Sequence, residues 1–151
     1  MKRSCAFLFL AAAVLSAYAC GPSNTVTVTF PNGRSVSCLI ADTPRTRAEG
    51  LTILDSLAPD QGMIFVYASE TASSFWMPKD LDFQLDLIFL DADKTVVHIH
   101  ERLPICESNV QSQCPSYGSG GKRHLYAVEV VAGFCEEVGL ELGDKLLFTL
   151  P

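Results

Sequence analysis

Residues Thr25-Val26-Thr27-Val28-Thr29-Phe30 alternate polar and apolar side chains without a break. Successive side chains of a strand point to opposite faces, so this stretch reads as a strand with one face on a core and one in water. Pro31-Asn32-Gly33 follows, and Asn-Gly supplies the backbone of a tight hairpin turn. Arg34 to Ala41 then returns as a second strand, with Val36, Cys38 and Ile40 on one face.

The rest of the chain keeps to short strands. Thr43 to Gly50 is a short helix by its punctuation: Thr43 can cap free amides, Pro44 suits the first helical position and Gly50 can end it. Strands are expected at Met63–Tyr67, Ser74–Met77, Leu85–Asp91, Thr95–Glu101, Leu125–Val131 and Lys145–Leu150, and a second short helix at Ala132–Val138. Leu103 to Arg123 is the longest loop, of a length usually tied to function, pinning or disorder. The pattern predicts a mainly β, compact single domain, a β-sandwich or barrel-like fold with about two short helices.

The first residues belong to another logic. Lys2 and Arg3 precede an apolar stretch, Ala6 to Val14, too short to span a bilayer, and Ala17-Tyr18-Ala19 fits a secretory cleavage site. This assigns 1–19 to a signal peptide, 20–24 to a linker and 25–151 to the folded domain. Cys20 then stands first in the mature chain, the position at which a lipoprotein carries its diacylglycerol; plain secretion is the alternative. Five cysteines survive cleavage, and lipidation of Cys20 leaves four. Cys106 and Cys114 are the natural local disulfide pair, with Cys38 and Cys135 as a long-range pair or two buried thiols. Loss of Lys2 and Arg3 takes the net charge from −6 to −8. With no basic stripe to neutralise phosphates, nucleic acid is an unsuitable partner.

Arg47-Ala48-Glu49-Gly50-Leu51, Gly62-Met63-Ile64-Phe65, Ser74-Phe75-Trp76-Met77, Leu85-Asp86-Leu87-Ile88-Phe89-Leu90-Asp91, Val128-Glu129-Val130, Ala132-Gly133 and Gly143-Asp144 occur in that order. This combination resembles the domain of unknown function 192 family over nearly all of residues 36–150. The resemblance implies a compact β-rich domain and no particular activity. Cys106, Cys114-Pro115 and Tyr117 are similar to a cysteine-bearing branch of the family, which implies a disulfide across that loop. The sequence departs from the family pattern at Thr52, Leu54 and Gln84.

Asp86 and Glu129 are each a carboxylate inside an apolar strand. A buried carboxylate must find a cation or several donors, or take up a proton. Two convergent carboxylates would give one acid and one base; the structural alternative is a pairing with Arg47 or with backbone amides. Arg47 is equally suited to clamping an anionic ligand. Phe75, Trp76 and Met77 suit either a pocket wall or the core, and Tyr117 sits where a pinned loop could close over a cleft. His98 and His100 share a strand face with His124 as a possible third ligand, but the set falls short of a metal site, and no cofactor motif is present. The leading expectation is a non-catalytic envelope domain, tethered to the membrane through Cys20. It would bind a small polar ligand or a partner protein through Arg47, Trp76, Asp86, Tyr117 and Glu129. The alternatives are an acid/base hydrolase or isomerase of saccharide-like substrates using Asp86 and Glu129, and a purely structural interaction module.

Overall fold

A computed structural model describes residues 24–151. The expected signal peptide and cleavage site, and Cys20, lie outside the described residues. β1 (Thr25–Thr29) and β2 (Ser35–Ala41) form the expected hairpin, with Gly33 at φ 87° in its turn. β2 pairs in parallel with β3 (Gln61–Thr71), and parallel neighbours need a crossover. α1 (Pro44–Glu49) and the 3-10 turn Gly50–Ile53 supply it. Thr43 caps α1 as its sequence implies: its hydroxyl accepts from the Thr46 amide at 3.1 Å.

β4 (Phe75–Trp76), β5 (Leu85–Leu90), β6 (Val96–Leu103), β7 (Ser116–Tyr117), β8 (His124–Val131) and α2 (Phe134–Val138) follow. The main sheet has six strands in the order β1-β2-β3-β8-β5-β6, and β4 with β7 makes a separate two-stranded ribbon. The fold is mainly β with two short helices, as expected, but the sheet does not close into a barrel. Instead, both of its faces are covered. On one, Val28, Ile64, Ile88 and Val128 meet α2 and the C-terminal residues Leu146 and Phe148. On the other, Met63, Phe65, Leu87 and Phe89 meet Leu51, Met77, Leu81 and the loop carrying Cys106 and Cys114. Inner strands covered on both sides lose their polar alternation, which is why all six residues of β5 are buried, Asp86 among them.

Two expectations are corrected. Lys145–Leu150 is not a full strand; it pairs only at the Thr29–Leu147 and Thr95–Lys145 bridges, and its role is to bring Leu146 and Phe148 onto the core. The 103–123 stretch, expected as one long loop, is interrupted where Ser116–Tyr117 pairs with Phe75–Trp76. The local disulfide is present, Cys106 to Cys114. Cys38 and Cys135 are two separate buried thiols rather than a second bridge, and burial pushes the Cys38 thiol up to about 12, so it stays protonated.

The disulfide closes a loop of eight residues' separation. By loop-closure entropy, Cys106→Ser with Cys114→Ser is expected to cost about 2–3 kcal/mol. Urea unfolding reads the loss, and hydrogen exchange should place the loosening at the β4–β7 ribbon rather than in the main sheet.

Candidate functional site

Strand register decides how the two carboxylates relate. Asp86 lies opposite Val130, and Leu87 lies opposite Glu129. Directly opposed residues share a face, so Asp86 and Glu129, one step apart, point to opposite faces of the sheet. No cleft can hold both, and the acid/base pair weighed as an alternative is not assembled.

Asp86 is fully buried and is held mainly by backbone, with the Cys135 thiol beside it. Its Oδ1 accepts from the Arg102 amide at 2.7 Å and the Gly133 amide at 3.0 Å, and its Oδ2 from the Cys135 amide at 2.8 Å. Each partner exists for a local reason. β6 bulges opposite Asp86: its register shifts between Leu85 and Leu87, and Arg102 takes a positive φ of 51° that turns its amide toward the carboxylate. Gly133 and Cys135 open α2, whose N-cap glycine has no side chain to satisfy the free amides. Asp86 therefore caps α2 from a neighbouring strand. Arg47, the other partner considered for it, is elsewhere.

Glu129 faces the opposite layer. It is 8% exposed and, among the described residues, makes no hydrogen bond or ion pair through its carboxyl group. Burial alone pushes it from an ordinary 4.5 up to about 8, with no cation to pull it down. It lines a cavity of about 240 Å³ together with Arg47, Tyr67, Phe75, Trp76 and Leu81. A much smaller recess beside it shares Glu129, Phe75 and Trp76 and adds Tyr117. Gly62 is needed just behind: a Cβ there would lie 2.6 Å from the Glu129 carbonyl oxygen, so only glycine lets β3 and β8 approach.

Arg47 spends Nη1 on the Asp42 and Val66 carbonyls, at 2.7 and 2.9 Å, which ties α1 to β3, and its guanidinium lies 5.1 Å from the centre of the Tyr67 ring. Phe75 is wedged edge-on against Phe65 and Phe89, with ring centres 4.8 and 5.5 Å away. Trp76 is 58% exposed and forms the rim, while Met77 turns back into the core. Of the five residues expected at a ligand site, Arg47, Trp76 and Glu129 meet at the cavity, Tyr117 flanks it and Asp86 belongs to the scaffold. Tyr67 was missed. It shares the Glu129 face because Met63 opposes Glu129 and strand alternation carries Phe65 and Tyr67 to the same side. The β3–β8 pairing that sets this is not written in either strand.

The histidines gather around Phe89. His124 lies 4.7 Å from its ring, His98 and His100 at 6.3 and 6.1 Å, and their own rings are 4.6 Å apart. His100 Nε2 is bonded to the Gly118 carbonyl at 2.7 Å. His124 is fully buried with both ring nitrogens unpartnered, and burial lowers its pKa, against a weak opposing pull from the Lys122 carbonyl. Among the described residues no three histidine, cysteine or acidic side chains converge to hold a metal ion.

The profile of the domain of unknown function 192 family, described as uncharacterised, matches residues 27–148. The chain belongs to that family. No curated protein matches it. Two solved structures are similar, each 27% identical over 82% of this chain. One is a Novosphingobium aromaticivorans protein of unknown function, with a TM-score of 0.69 and 83% of its own chain covered. The other is a Sinorhizobium meliloti protein provisionally called a transcription regulator, with a TM-score of 0.67 and 92% covered.

Asp86→Ala leaves those three amides without an acceptor, the Cys135 amide buried and the other two partly so. It is expected to cost about 3–5 kcal/mol in urea unfolding. Asp86→Asn keeps one carbonyl oxygen and should cost clearly less. A cost for Asp86→Ala below about 1 kcal/mol would show that the carboxylate does not hold this corner together.

Proposed function

We propose that this protein is an exported, membrane-tethered domain of the cell envelope that binds a small polar ligand between Arg47, Trp76 and Glu129. One observation carries the reading: Glu129 is almost wholly buried, has no hydrogen-bond or ion-pair partner among the described residues and opens into a cavity. Buried polar groups are normally hydrogen-bonded. A carboxyl group without a partner, at a cavity shared with a guanidinium and an exposed tryptophan, is suited to a visiting molecule. Binding is favoured over acid/base catalysis because the second carboxylate, Asp86, is sealed on the other face. The purely structural reading leaves the cavity and the lone acid without a purpose.

Export is supported by the Lys2-to-Cys20 pattern and by the Cys106–Cys114 disulfide, since such bonds persist in oxidising compartments. A lipid on Cys20 would place the domain at a membrane surface, with Gly21 to Asn24 as a short spacer.

Two experiments test the proposal. Trp76 is the only tryptophan in the chain and sits on the cavity rim, so its fluorescence reports occupancy directly. A panel of small acids, amino acids and envelope saccharides should contain a compound that both shifts this signal and raises Tm. At one hundred times its Kd the stabilisation is about 2.7 kcal/mol. A panel without any such compound argues against binding at this cleft. For the tether, Cys20→Ala expressed in a bacterial host should move the protein from the membrane fraction to the soluble one. Unchanged fractionation removes the lipid anchor.

A further inference from the structure

Two groups at the cavity narrow the ligand, Arg47 and Glu129, beside the hydroxyl-bearing Tyr67 and Ser74. Arg47 carries five N–H donors. Its Nη1 is spent on two carbonyls, whereas Nε and Nη2 have no acceptor among the described residues. Those two atoms form an edge of the guanidinium fork that pairs two-pronged with a carboxylate. The bonds at Nη1 and the Tyr67 ring fix the fork in place. Burial raises the Glu129 carboxyl to about 8, which favours the protonated form, whose O–H is a donor. The cavity therefore offers donors from two sides and one uncompensated positive charge. The rest of its wall is mostly apolar, Leu51, Phe65, Phe75, Trp76 and Leu81, with hydroxyls from Tyr67 and Ser74.

We propose that the cavity takes a small organic acid as its anion. Its carboxylate sits between Arg47 and Glu129 and its flat apolar body lies against Phe75 and Trp76. The proposal rests on the ligand-binding reading above and names its ligand class. An amine would meet a cation and an uncharged acid. A quaternary ammonium would call for an aromatic cage without the arginine. A phosphate would leave its second charge unmatched. A volume of about 240 Å³ limits the ligand to something small, below the roughly 300–1,000 Å³ of drug-sized sites.

The protonation of Glu129 gives the proposal a signature. Arg47, Tyr67 and Tyr117 are the other ionisable groups lining the cavity and its recess, and Met63 and Leu87 flank Glu129 on the adjacent strands. Once Glu129 ionises, its charge repels the bound anion and its donor is gone. Affinity should therefore hold below about 8 and fall above it. The limiting slope is about tenfold per pH unit.

The test is calorimetry and Trp76 fluorescence on the disulfide-intact protein with phenylacetate, phenylacetamide, phenethylamine and inorganic phosphate, at about pH 6.5 and about pH 9.5. Phenylacetate should bind at least about tenfold tighter than the other three at the lower pH and lose most of its affinity at the higher one. Glu129→Gln should flatten that pH profile. Arg47→Lys, which keeps the charge but not the fork, should weaken phenylacetate by about tenfold or more. Amide, amine or phosphate binding as tightly as phenylacetate overturns the carboxylate assignment and leaves the ligand-binding reading standing. So does a wild-type profile that is flat across pH 8. Silence from all four probes also overturns the assignment; the broader reading falls with it only if the wider panel is silent too.

Discussion

The fold turns on one carboxylate accepting three backbone amides. Asp86 lies in the middle of a fully buried strand and gathers the bulge of β6 and the first turn of α2 onto β5. An uncompensated charge there would be very costly, and three amide donors supply the compensation without a cation. The consequence is positional. β6 can bend at Arg102 and α2 can start on a bare glycine only because an acceptor waits for both. The face covered by α2 thus depends on a group that, from sequence, resembles a catalytic acid.

Glu129 is the contrast. It comes from the strand next to Asp86, has the same chemistry and is nearly as buried, yet it has no donors gathered around it. The difference follows from what covers each face. A helix start provides amides pointing at the sheet. On the other side the cover is made of side chains, Leu51, Phe75 and Leu81, which have none to give. A cavity remains where that cover is incomplete, and Arg47 reaches its rim because Asp42 and Val66 hold the guanidinium by one nitrogen.

Much of the fold was legible in the sequence because its signals are local. The β1–β2 hairpin needs only alternation and Asn-Gly. The first helix needs only Thr43, Pro44 and Gly50. The disulfide needs two cysteines in one loop. What was misread depends on distant partners. Lys145–Leu150 has strand-like alternation but meets the sheet edge only at Leu147 and Lys145, so it packs without completing a ladder. Ser116–Tyr117 carries no strand signal of its own and is extended because Phe75–Trp76 pairs with it. At the site, Arg47, Trp76 and Glu129 were recognisable as polar or aromatic residues in unusual settings. Tyr67 was not, since a tyrosine ending an apolar strand is unremarkable until the neighbouring strand is known.

By itself the sequence determined a mainly β domain, its first hairpin, its first helix, a pinned loop and two acids that had to be accounted for. Those follow from side-chain periodicity, turn chemistry and the cost of burying charge, all of which act within a few residues. Only the tertiary structure decided that the two acids are strangers to each other. A one-residue difference in register between β5 and β8 sends Asp86 to the scaffold and Glu129 to the cavity. Register is a property of paired strands, set by how two hydrophobic faces close, and no single strand contains it.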